Sequence, residues 1–119
     1  MHDISNYMSD DLPLQPAKAQ LLAVKTYNFA DAMDIARAKD EASGFLQTSV
    51  KSFKMDIDTM REAYENSADG SLLRRFVMDQ IEAGLGTNYQ VHEFLSLHYV
   101  SDFWTDFTNR VCRLRENNA

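Results

Sequence analysis

Residues 46–64, LQTSVKSFKMDIDTMREAY, carry the clearest periodic signal in the sequence and indicate the fold class. The apolar and aromatic side chains of this stretch alternate four and three residues apart, at Leu46, Val50, Phe53, Ile57, Met60 and Tyr64. Such spacing returns to the same side of an α-helix, because the helix completes a turn in about 3.6 residues. The stretch therefore predicts one amphipathic helix, which ends in the turn-forming residues 66–70.

A second stripe of the same kind occupies the C-terminal part of the chain. Its members alternate three and four residues apart, at Leu97, Val100, Trp104, Phe107, Val111 and Leu114. Thr87 and Gln90 match a capping box, so we expect one helix from there to about Arg115. No segment shows the alternation of apolar and polar residues that is typical of a half-buried strand. The sequence therefore predicts an all-α fold in which the two stripes form the central seam.

Residues 17–42 contain no helix breaker and are rich in Ala, Leu, Met and Lys. Pro16 suits the first position of a helix, where its missing N–H has no intrahelical partner to lose. One helical face carries Leu22, Phe29, Met33 and Ala36. Asn28 is a candidate cap for a second helix, so the sequence leaves open whether 17–42 forms one helix or two.

Glycines and turn formers divide the rest of the chain. Ser43-Gly44 is the expected break after 17–42, and Ser71 is expected to cap a shorter helix that ends at Gly84 and Gly86. We therefore expect a compact bundle of four helices, or five if 17–42 divides. Residues 1–16 are expected to form a flexible acidic tail with an extended lead-in, and residues 17–119 a single α-helical domain.

Length and composition exclude several classes of protein. With 119 residues, 45% of them hydrophobic, the chain is expected to fold as one domain. Its formal net charge of −6 argues against nucleic acid as a partner. No apolar run approaches the roughly 20 residues of a membrane span, and the first residues lack the pattern of a secretory signal, so we expect a cytoplasmic protein. The single cysteine, Cys112, makes neither an intramolecular disulfide nor a Cys-based zinc site.

No catalytic, cofactor-binding or metal-binding residues are predicted. His92 and His98 are six residues apart and point to different sides of a helix, so they cannot share a metal ion. His98, Asp102 and Asp106 share a face, but no nucleophile accompanies them, and a solvated polar stripe explains them better. We therefore expect a protein that is not an enzyme and has no cofactor. The alternative is a small enzyme or ligand carrier with a site between helices at His98 and Asp102.

A DNA-binding regulator is a further alternative. Residues 71–100 have the proportions of a helix-turn-helix, in which Arg74 and Arg75 would contact phosphate. The recognition helix would begin with Tyr89, Gln90 and His92. Almost any helical hairpin has these proportions, however, and the first turns of this helix carry an acid and no Lys or Arg. A simple turn between two helices is therefore the preferred interpretation.

The last predicted helix carries more apolar residues than its stripe needs. Val91, Leu95 and Tyr99 form a row at i, i+4 and i+8, roughly opposite the stripe, and Phe103 lies close to that row. Met55 likewise lies opposite the stripe of its own helix. A helix with two apolar sides is either central in a bundle or exposes one side to a partner. We predict these five residues as the partner-binding surface.

With the enzymatic, metal-binding, membrane and nucleic-acid classes disfavoured, the sequence predicts a non-enzymatic, small acidic helical protein that acts as a regulator, adaptor or inhibitor. It would bind another protein through the apolar face, and its negative charge favours a basic partner surface. A homodimer is the other use of the same face. We expect Leu95→Asp combined with Tyr99→Asp to abolish partner binding without loss of helical circular dichroism.

Overall fold

The computed structural model describes residues 15–118, with side chains described up to residue 114. Within this range the chain is all-α, as expected, and contains no strand beyond one isolated bridge between Leu85 and Tyr89. There are six helices rather than four or five: α1 (Pro16–Ala32), α2 (Ala36–Ser49), α3 (Ile57–Asn66), α4 (Leu72–Gly84), a 3-10 helix (Val91–Leu97) and α5 (Ser101–Asn118). The acidic tail expected over 1–16 falls almost wholly on residues 1–14, outside the described residues.

The stretch 17–42 divides, but not at Asn28. Pro16 begins α1, and the helix ends where Asp34 takes a left-handed conformation with φ 59°. A tight turn follows, in which Ile35 N–H donates to the Ala30 carbonyl oxygen at 2.8 Å. Asn28 is instead buried within α1 and donates from Nδ2 to the Glu62 carbonyl oxygen at 3.3 Å. α1 and α2 therefore form a helical hairpin.

The expected break at Ser43-Gly44 does not occur, and the expected helix over 46–64 is two helices. Gly44 lies inside α2, because a glycine in an exposed helix costs only about 1 kcal/mol relative to alanine. The chain then leaves the helix between Val50 and Asp56, and the Asp56 side chain caps α3. Buried Gln20 of α1 stabilises this connection by donating from Nε2 to the Phe53 carbonyl oxygen at 2.8 Å. Two in-phase helices give the same periodicity as one long helix.

The predicted C-terminal helix from Thr87 to Arg115 is also divided. Ser71 caps α4, which ends at Gly84 as expected, and Gly86 continues the turn with φ 88°. The capping contact lies three residues later than predicted, since Gln90 N–H donates to Glu93 Oε2 at 2.7 Å. A 3-10 helix follows, and α5 begins only at Ser101.

Aromatic rings form the centre of the core between α3, the 3-10 helix and α5. Phe94 and Phe103 are fully buried, with ring centroids 5.4 Å apart, and both pack against Phe107. Tyr64 meets the Phe103 ring edge-on at 5.5 Å. These tilted, edge-on and stacked contacts bury large apolar rings and hold the three elements together. Among the described helices, none has the length and apolar character that a bilayer crossing requires.

Candidate functional site

Two of the five predicted partner-binding residues lie in the core. Met55 and Phe103 are fully buried. Met55 packs in the connection before α3, and its carbonyl oxygen accepts from the Tyr89 hydroxyl at 2.7 Å. Phe103 contacts Phe94, Tyr64 and Phe107. The excess of apolar residues in this region is therefore used mainly inside the monomer, and these two side chains are not part of an exposed face.

The other three predicted residues, Val91, Leu95 and Tyr99, are each at least half exposed but do not form a row. The expected row requires an α-helix, and the structure has a 3-10 helix followed by a turn. A 3-10 helix turns about 120° per residue, so side chains four residues apart point about a third of a turn apart. Tyr99 leans toward α3, where partial desolvation and the Glu65 carboxylate raise the pKa of its hydroxyl.

The polar stripe of His98, Asp102 and Asp106 serves the fold. Asp102 Oδ2 accepts from Arg74 Nη1 at 3.1 Å, and Asp106 Oδ2 accepts from the Tyr64 hydroxyl at 2.7 Å. Burial and the Asp106 hydrogen bond raise the pKa of Tyr64 far above its ordinary value. His98 is exposed, outside α5. The stripe therefore contains two structural acceptors, a role that the sequence did not indicate.

Arg74, predicted to contact phosphate in the helix-turn-helix alternative, is a buried structural residue. Its side chain is only 6% exposed. Nη2 donates to the carbonyl oxygens of Tyr64 at 2.6 Å and of Ser67 at 2.9 Å, and Nε donates to Ser67 Oγ at 2.9 Å. These carbonyl groups lie at or just beyond the end of α3, where helical carbonyls lose their partners within the helix. Arg74 thus caps α3 and connects α4 to Asp102 of α5.

The rest of the segment assigned to the helix-turn-helix alternative also differs from that motif. The element after the turn is a seven-residue 3-10 helix, not a recognition α-helix. Tyr89, expected to face bases, is buried beneath Lys54, whose Nζ lies 5.2 Å from the ring centroid. In residues 15–118, no group of three or more potential metal-ligating side chains comes together.

Several large exposed apolar side chains lie on the outer side of the α1–α2 hairpin. Leu22, Phe29, Met33 and Phe45 are each between 45% and 59% exposed. The first three belong to the face of α1 noted in the sequence. They point outward because the opposite side of α1, with Gln20, Val24 and Tyr27, is the buried side.

A shallow groove of about 320 Å³ runs between α1 and α2 on this side. Small side chains form its floor, and Leu22 and Phe45 rise beside them. The groove is lined by Ala19, Leu22, Ala23, Thr26, Ala38, Glu41, Ala42 and Phe45. We call the groove, together with Phe29 and Met33, the hairpin surface. The combination of large protruding side chains and a floor of alanines suits the close packing of another helix.

The charges around the hairpin surface balance. Residues 13–45 contain four basic and four acidic side chains, in a chain whose net charge is −6. Within α2, Arg37 Nε contacts Glu41 Oε1 at 3.3 Å, and near the turn Lys39 Nζ contacts Asp31 Oδ1 at 3.1 Å. The hairpin is thus a neutral, partly apolar region of an acidic protein.

A second groove, of about 360 Å³, separates α2 from α4. Leu46 and Leu73 contribute to its apolar floor, while its rim carries both Asp40 and Arg75. Neither groove includes His98 or Asp102, the residues of the alternative site between helices. The mixed rim charges favour no single class of small ligand.

Comparisons of the chain with protein-family models, with curated proteins and with solved structures found no match.

Proposed function

We propose that the protein is a non-enzymatic, small regulator or adaptor that acts by binding protein through the hairpin surface. The observation that carries this proposal is the unpartnered apolar side of α1, on which Leu22, Phe29 and Met33 share one stripe. Contiguous exposed apolar surface is uncommon on monomeric proteins and is typical of interaction sites.

The composition of the hairpin surface supports a docking role. Aromatic residues are enriched at the centres of protein interfaces, where a few anchors supply most of the binding energy. Phe29 and Phe45 are candidate anchors, one from each helix, and the alanine floor between them permits close approach of a partner. Burial of such apolar area contributes roughly 25 cal/mol per Å² before the cost of association is subtracted.

Charge shapes the choice of partner at longer range. The net charge of −6 favours encounter with a protein that presents a basic surface. The contact itself would lie on the neutral hairpin surface, whereas the net negative charge belongs to the rest of the chain. In this arrangement the net charge would select the partner, and the apolar contact at the hairpin surface would supply the affinity.

Capture of partners by the tagged full-length chain from its native source, in the presence of nuclease, tests the proposal. We expect a stoichiometric protein partner that is retained by the wild type and lost by Phe29→Asp. The matched control is Leu72→Asp, which places the same charge on a similarly exposed apolar residue of α4 and should retain the partner. Equal capture by both variants would exclude the hairpin surface, and capture that disappears with nuclease would instead favour the DNA-binding alternative.

Val91, Leu95 and Tyr99 remain predicted contacts of a partner. All three are at least half exposed, and Tyr99 follows the 3-10 helix that carries Val91 and Leu95. A partner that covers them would therefore not lie along a single α-helical stripe.

A further inference from the structure

We infer that the hairpin surface is covered by a second copy of this chain, in an antiparallel four-helix arrangement with a twofold axis parallel to α1 and α2. The inference rests on the proposed function, because it specifies which protein covers that surface. Three properties of the hairpin support it: its register, the sizes of its side chains and the positions of its charges.

The register follows from the tight turn at residues 33–35. Helices joined by so short a turn run antiparallel, so residues equally far from the turn lie side by side. Leu22 and Phe45 are equally far from the turn, as are Thr26 and Glu41, and all four residues line the groove. A twofold axis parallel to the helices keeps every residue at its own level. It therefore places α1 of one copy over α2 of the other, antiparallel, as in many four-helix bundles.

Side-chain sizes are complementary in this arrangement. Phe29 lies one turn nearer to the hairpin turn than Thr26, and Ala38 lies one turn nearer than Glu41. The exposed ring of Phe29 in one copy is therefore level with the small Ala38 of the second copy. A large side chain opposite a small one, as at Phe29 and Ala38, allows a ridge of one helix to enter a groove of the other. About two turns farther from the hairpin turn, the exposed side chains of Leu22 and Phe45 of the second copy add apolar contact.

The charges at the edge of the hairpin surface are complementary as well. Lys25 is exposed and lies about half a turn from Ala23 of the groove, which places it at the outer edge of α1. Glu41 is exposed at the rim of the groove on α2, where it contacts Arg37 of the same helix. The twofold axis brings Lys25 of one copy level with Glu41 of the second copy, and the reciprocal pair forms by symmetry. The net charge of −6 on each copy opposes association at long range, and screening at physiological salt limits this repulsion to about 8 Å. The neutral hairpin is thus a part of the chain on which two copies can meet without local repulsion.

Sedimentation velocity and light scattering of the purified full-length chain test this arrangement. We expect a dimer for the wild type and for Leu72→Asp, and a monomer for Phe29→Asp. Glu41→Lys should raise the dimer dissociation constant about tenfold, because two edge contacts become repulsive, and Lys25→Glu added to Glu41→Lys should restore it. Both charge variants lie at exposed positions, so they report on association without disturbing the core.

Each outcome separates this inference from the proposed function. A wild type that stays monomeric at its highest soluble concentration overturns the dimer. If that monomer still captures another protein and loses it with Phe29→Asp, the proposed function stands. A folded Phe29→Asp variant that remains dimeric overturns the hairpin as the dimer interface. A double charge variant that associates no better than Glu41→Lys overturns the register. A monomer that captures no protein at all contradicts both proposals.

Discussion

The guanidinium group of Arg74 lies over the ring of Tyr64, with its central carbon 4.8 Å from the ring centroid, and donates from Nη2 to the Tyr64 backbone carbonyl oxygen at 2.6 Å. One buried cation thus contacts both the side chain and the backbone of the same residue. The Tyr64 hydroxyl in turn donates to Asp106, so the contact is part of a polar connection from α4 through α3 to α5.

Replacement of Arg74 by methionine should lower the free energy of unfolding by about 2–4 kcal/mol, because it leaves carbonyl oxygens at the end of α3 without a donor in a buried site. Urea unfolding followed by circular dichroism measures the change. Arg75→Met is the matched control at an exposed neighbour and should change stability by less than about 0.5 kcal/mol. Equal effects of the two variants would show that Arg74 does not hold α3 to α5.

Alkaline pH should destabilise the protein through its buried tyrosines. Burial raises the pKa of Tyr89 from 10.0 to about 12, and the pKa of Tyr64 rises still further. The folded state therefore keeps these protons more tightly than the unfolded state. The contribution of Tyr89 to stability is complete below pH 10 and is lost as the pH rises from 10 through 12, and the contribution of Tyr64 is lost over a range that extends to higher pH.

Urea unfolding at a series of pH values measures this dependence. We expect the free energy of unfolding to decline above pH 10, and the decline to be shallower in Tyr89→Phe. An identical pH dependence in the wild type and in this variant would contradict the assignment to Tyr89.

Two glycine-to-alanine substitutions should have opposite effects. Gly44 lies in the exposed middle of α2, and no neighbouring side chain comes within 4 Å of the place that a methyl group would take. Gly44→Ala should therefore raise stability by about 1 kcal/mol.

At Gly84 an added Cβ would lie 3.0 Å from Cδ2 of Tyr89 and 3.2 Å from Cβ of Asn88. The Tyr89 ring is held by its hydrogen bond to Met55, so Gly84→Ala should lower stability by about 1–3 kcal/mol. Thermal unfolding of both variants shows whether each substitution raises or lowers the stability of the protein. Stabilisation by both substitutions would contradict the close packing at Gly84.

The residues of the predicted partner-binding surface should divide into two groups. Leu95→Asp with Tyr99→Asp should keep the helical circular dichroism and weaken capture of a partner, because both residues are exposed. Phe103→Ala should instead lower the free energy of unfolding by about 3–5 kcal/mol, because it empties the centre of the aromatic core. Unfolding of the double variant would place Leu95 and Tyr99 in the core, and unchanged capture would remove them from the interface.

Local sequence patterns were sufficient to predict the all-α class and several helix ends. Pro16 begins α1, Ser71 caps α4 and Gly84 ends it, because caps, prolines and glycines act on the backbone within one turn of their own position. Leu46, Met60 and Tyr64 of the first stripe are buried as its periodicity predicts. These features depend on neighbours in the chain and can be predicted from local patterns.

Contacts between distant segments, in contrast, set where the long stripes divide and which apolar side of α1 is exposed. The periodicity of residues 46–64 is the same for one helix and for two helices in phase, and the connection depends on a hydrogen bond from Gln20, 33 residues earlier. Asp102 and Asp106 of α5 likewise act as structural acceptors only because Arg74 and Tyr64, on other helices, donate hydrogen bonds to them. Leu22 and Phe29 are outside because Gln20, Val24 and Tyr27 fill the space against α2 and α3. Burial is a relation between distant segments, so no local spacing of residues specifies it.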